Sequence, residues 1–138
     1  MNKKIILGIL VLIVIVIAGF GVSKIMNPSA TGKVIAENAP IKEFVIESYT
    51  EIIDGKYFPK FSPKEITVNK GDKVRIKITN TKGTHDFKID EFNVYTETPL
   101  NQEMTVEFIA DKAGSFEYYC TKPGHRQNGH WGTLKVLG

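Results

Sequence analysis

From Glu65 to Asn80 the sequence reads EITVNKGDKVRIKITN, and its apolar residues fall on alternate positions: Ile66 and Val68, then Val74, Ile76 and Ile78. Successive side chains of a strand point to opposite faces, so a period of two buries one face and leaves the charged residues on the other. A helix would scatter the same residues around its axis. The break at NKGD, where Gly71 is free to take a backbone angle that other residues resist, predicts a hairpin turn between the two runs. KEFVIESY repeats the pattern less cleanly through Phe44, Ile46 and Tyr49, and MTVEFIA places Met104, Val106 and Phe108 on one face. After a turn at KAG, SFEYYC and GTLKVL supply two more short strands. No stretch beyond Val22 has helical periodicity. Roughly six to eight short strands at this turn spacing indicate an antiparallel sandwich or a small barrel over residues 41–138; of the two, the expected fold is an all-β, antiparallel Greek-key β-sandwich.

A chain of 138 residues, 42% hydrophobic, has apolar surface for one modest core and no second domain. Part of that apolar content lies outside the strands. Ile5 to Val22 is an unbroken run without a polar or charged side chain, behind Lys3 and Lys4. At the helical rise it covers about 27 Å, close to the hydrocarbon thickness of a bilayer. Residues 1–22 are therefore expected to form one transmembrane helix, a retained anchor or uncleaved signal. The two lysines would stay in the cytoplasm and the rest would face outward. Residues 23–40, SKIMNPSATGKVIAENAP, mix Pro, Gly, Ser and Asn without a period and read as a tether. The expected location is the outer face of a bacterial or archaeal cell membrane.

The formal charge of +3 is spread along the chain with no basic run, which argues against a nucleic-acid partner. Cys120 is the only cysteine, so an internal disulfide is excluded and the thiol needs another purpose. His125 and His130 follow it within YYCTKPGHRQNGHWGTLKV, and the third histidine, His85, stands upstream in GTHDFKIDEF. Cys120 ends one expected strand, His130 precedes the last, His125 lies in the loop between them, and His85 opens a strand after the TKGT turn. All four are thus placed to meet at one end of a sandwich. A thiolate with imidazoles suits copper or zinc and is a poor set for calcium or magnesium.

CTKPGH, with its Cys-x4-His spacing, and GTHDFKID resemble the copper-binding segments of the cupredoxins, the azurin and rusticyanin branch in particular. FSPKEITVNKGDKVRIKITN is also similar to the strands that precede the first ligand in small members. The resemblance covers about Ile41 to Gly138. It implies one copper ion, cycling between Cu(I) and Cu(II), with His85, Cys120 and His125 as trigonal ligands. Where rusticyanin-like members carry an axial methionine, this chain has His130. A nitrogen donor there would lengthen the copper–thiolate bond and favour Cu(II), lowering the potential.

That resemblance implies an electron-transfer module rather than an enzyme, working with a redox partner protein. Lys122 and Arg126 flank His125 and would suit an acidic partner surface; as an ordinary solvated loop they need no partner. A small-ligand or catalytic copper site like that of nitrosocyanin is the alternative, although no residue can be assigned that protein's carboxylate ligand. A copper carrier is another, with few methionines to support it. A Cys–His hydrolase would need a nucleophile elbow and an orienting third residue, and neither is evident. Asp86 is turned away from its neighbours by strand alternation, and Trp131 is expected to pack over the end of the sandwich.

Overall fold

The computed structural model describes residues 40–138. The expected anchor and nearly all of the expected tether lie outside the described residues. Among the described residues no helix is long and apolar enough to cross a membrane.

Among the described residues nine strands form two packed sheets: β1 (Ile41–Ile53), β2 (Lys56–Ser62), β3 (Glu65–Asn69), β4 (Lys73–Lys82), β5 (His85–Ile89), β6 (Val94–Thr98), β7 (Glu103–Ile109), β8 (Gly114–Tyr119) and β9 (Trp131–Leu137). One sheet has the order β2-β1-β4-β7 and the other β3-β9-β8-β5-β6. The only helical element among the described residues is a single 3-10 turn at Asp90–Phe92. Ile46, Val74, Ile76 and Ile78 from the first sheet face Ile66, Val68, Phe87, Ile89, Tyr118, Leu134 and Val136 from the second, and all are buried. The period-two runs read from the sequence therefore mark the inner faces.

Two expectations are corrected. NKGD does not close a hairpin, because β3 and β4 belong to different sheets. Gly71 does take a positive φ of 95°, but the turn is a corner: Lys70 N–H donates to Leu137 O and Gly71 N–H to Ala110 O, each on a different neighbour. The sandwich is also not wholly antiparallel, since β1 runs parallel to β4 and β3 parallel to β9. Both pairings join segments far apart in the chain, and alternation within a segment says nothing about its neighbour's direction.

Two strands, β2 and β6, are not among those expected from the sequence; β6 pairs with β5. Strand β2 folds back on β1 through Asp54 and Gly55, both at positive φ (50° and 73°), with Ile53 opposite Lys56. Asp-Gly between two strand-like runs is the sequence signal for this two-residue turn. On β1 the inward face is Phe44, Ile46 and Ser48, not Tyr49. A polar residue at the end of an apolar stripe hid the register.

Candidate metal centre

His85 is the first residue of β5, Cys120 follows β8 directly, and His130 immediately precedes β9. Since β8 and β9 are paired, their ends stay together, and Cys120 N–H donates to His130 O at 3.1 Å. The loop between them is drawn into successive turns, with His125 N–H on Lys122 O and His130 N–H on His125 O. This brings His125 back over the cysteine. One donor atom from each of His85, Cys120, His125 and His130 lies within 4.8 Å of all the others. The structure thus unites all four residues named from the sequence.

The orientation of each ring follows from its outer partners. His85 Nε2 stands 2.9 Å from Lys82 O, and a carbonyl only accepts, so the proton is on Nε2 and the Nδ1 lone pair faces inward. His85 Nδ1 is 3.2 Å from His125 Nδ1, which is 3.5 Å from Cys120 Sγ. Two nitrogens held at metal-bond lengths on one tetrahedral ion would stand about 3.3 Å apart, and a nitrogen and a sulfur about 3.5 Å. The donors are already spaced for one ion. His130 Nδ1, fully buried, has no hydrogen-bond partner, while its Nε2 contacts Ser48 Oγ at 3.1 Å. An orphaned lone pair beside three converging donors fits a fourth ligand position.

Burial sets the protonation of this cluster. It pushes the His130 ring down to about 3, helped by the neighbouring His85 and His125, and also lowers His85 and His125. All three imidazoles are neutral at neutral pH, as metal ligands must be. Burial raises the Cys120 thiol to about 11, so a bound cation has to displace its proton. His85, Cys120 and His130 are buried, and His125 alone is partly exposed. The surface beside His125 is a depression of about 420 Å³ lined by uncharged residues, among them Thr50, Tyr57, Pro59 and Pro123.

Asp86 is the functional neighbour that sequence reasoning set aside. It is wholly buried, and its carboxylate accepts from Thr121 N–H at 2.6 Å and Thr121 Oγ at 2.5 Å. Burial pushes this carboxyl upward, but the Thr121 hydroxyl and amide, the Cys120 thiol and Lys122 together hold it below its ordinary value. Alternation does turn Asp86 away from His85, and that same direction carries it under the residue after Cys120. It ties two ligand-bearing segments to each other. Lys122 pairs with Glu97 at 2.9 Å, and Arg126 pairs with Glu117 at 2.6 Å while lying over the Tyr119 ring. Trp131 is 41% exposed under Lys64 and takes no part in the cluster.

A family model described as a cupredoxin-like domain matches residues 12–131. Nitrous-oxide reductase from Cupriavidus necator is 39% identical over 67 residues, 46% of this chain and 10% of that protein. The enzyme of the same name from Stutzerimonas stutzeri is 36% identical over the same shares. The chain thus spans about a tenth of the length of these relatives. Among solved structures, a copper nitrite reductase from Nitrosomonas europaea superposes with a TM-score of 0.61 at 18% identity, over 71% of this chain and 42% of that one. Auracyanin from Roseiflexus castenholzii does so with a TM-score of 0.58 at 21% identity, over 70% of this chain and 97% of its own. These two likenesses are of fold.

Proposed function

This chain belongs to the cupredoxin-like family and is a copper protein with one ion, and from that premise we propose that it is a membrane-tethered carrier of single electrons on the outer face of the cytoplasmic membrane. His85, Cys120, His125 and His130 would hold the ion. When bound, copper supplies the one-electron chemistry, alternating between Cu(I) and Cu(II). The chain's own contribution is to fix the donors and keep water away. Cys120 and His130 are tied backbone to backbone, and Asp86 locks Thr121 against β5. A donor set held this firmly reorganises little between oxidation states. Of the four ligand residues only His125 approaches solvent, so its ring edge would be the route for the electron.

The observation that carries this reading is the buried, unpartnered Nδ1 of His130. It supports four strong donors and a closed site. An open position for a small ligand, or an exposed site for handing on the metal, gains no support from such an arrangement. The partner we propose is a redox protein that docks over the uncharged depression beside His125. Lys122 and Arg126 add little attraction for an acidic surface, because each is already paired within the chain.

The test is His130→Met, which exchanges an imidazole for a weak thioether. We expect stronger sulfur-to-copper absorption in the blue-copper region, a smaller copper hyperfine splitting, and a reduction potential higher by on the order of 100 mV. Unchanged spectra and potential would remove His130 from the ligand set and return the open-site reading.

A further inference from the structure

Ser48 is a polar residue in the core that contributes no donor atom to the cluster. It is 0% exposed, on the inward face of β1 after Ile46. Among the described residues its side chain makes one hydrogen bond, to His130 Nε2 at 3.1 Å. A hydroxyl buried among apolar side chains is destabilising without a partner. With a methionine at position 130, Ser48 would lose this partner, so the two unusual residues belong together.

We propose that Ser48 is a positioning residue for His130: its oxygen accepts the Nε2–H and so selects the tautomer whose Nδ1 lone pair faces His85, Cys120 and His125. The assignment rests on reading His130 as the fourth ligand. Nδ1 finds no acceptor in the structure, so a proton there would be stranded, whereas Nε2–H meets Ser48. Phe61 packs against the ring face, with centroids 4.0 Å apart, and restrains its tilt but not its choice of tautomer.

A second contact of the same kind comes from the same strand. Thr50, two residues on, places its hydroxyl 3.1 Å from His85 Nε2. Residues i and i+2 share a strand face, so β1 presents one hydroxyl to each of two ligand histidines. The β1–β4 register shifts between Ser48 and Tyr49 because β4 carries the extra residue, Thr81, so the alternation along β1 is unbroken. Outer partners that fix ring orientation commonly account for about 10–100-fold in metal affinity.

The experiment uses the intact chain in detergent and compares wild type, Ser48→Ala, Ser48→Thr and His130→Met. Imidazole nitrogen NMR of the metal-free chain should show His130 in the Nε2–H tautomer, mixed with the other in Ser48→Ala and recovered in Ser48→Thr. Copper and zinc affinity should fall about 10–100-fold in Ser48→Ala, and its copper spectrum should move in the same direction as that of His130→Met. In the His130→Met background, Ser48→Ala should leave the spectrum unmoved and raise the melting temperature. If Ser48→Ala lowers the melting temperature but keeps tautomer and affinity, the residue is merely structural and the proposal fails, while a spectral change in His130→Met would still uphold the ligand. A tautomer shift with no spectral change in either variant overturns the ligand reading and this role with it. Ser48→Val, close in shape to the threonine, replaces Ser48→Ala if the smaller side chain loosens the core.

Discussion

His130 shows how much one residue changes once its surroundings are known. In solution an imidazole gains a proton near pH 6.5; buried here beside two other histidines, this one resists it down to about 3. The consequence for the metal-free chain has a definite sign. On acidification the unfolded chain takes up the proton first, near pH 6.5, while the folded chain does not until about 3. Stability present above pH 6.5 is therefore lost progressively as pH falls through that window, and His85 and His125, lowered by burial, act in the same direction. Urea unfolding of the metal-free chain should show a lower midpoint at about pH 4.5 than at about pH 7. The slope should be smaller in His130→Met, which has one fewer ring to protonate. Equal slopes would mean that burial of this ring does not control acid stability.

At the scale of elements, the turn between β4 and β5 sets the position of His85. Gly83 lies there at a φ of 109°, where a side chain is strained, and a Cβ on it would stand 2.5 Å from His85 Nε2 and 2.8 Å from Thr50 Oγ1. Neither neighbour can retreat easily. His85 is held by the Lys82 carbonyl, and Thr50 by its strand. We expect Gly83→Ala to turn the His85 ring, weaken copper binding by about 10-fold or more in a chelator competition, and slow electron exchange. Retained affinity would show that the turn yields instead. The β8–β9 loop is less demanding, because Cys120 and His130 are tied to each other where the paired strands end and His125 is held by the turns between them.

For the whole molecule, the N-terminal run governs where the domain works. Ile5–Val22 is long enough for a bilayer and carries no charge. A retained anchor predicts that the full chain sediments with membranes, resists high salt and alkaline washing, and is released by detergent. Release by salt alone would place the protein free outside the membrane, or bound to it only through a partner. The copper spectrum should be the same before and after extraction, since every donor belongs to the strands and loops of residues 85–130.

The sequence by itself determined the inner faces and the donors. Alternation marked Ile66, Val68, Val74, Ile76 and Ile78 as buried, and all five are. The four chemistry-bearing residues could be named because His85, Cys120 and His130 stand at strand ends and His125 in the loop between two of them, and adjacent strand ends in a sandwich share a surface. What only the tertiary structure decided were the relations between distant segments. NKGD became a corner because β3 pairs with β9 and β4 with β1 and β7, choices made by packing between sheets rather than by the turn. Ser48 and Thr50 gained their roles because β1, whose contacts with His130 and His85 span 82 and 35 residues, passes beneath the site. Asp86 gained its role because β5 lies beside β8. A hydroxyl or carboxylate carries no local sign of its partner when that partner arrives through folding, whereas periodicity and a lone thiol are local and can be read directly.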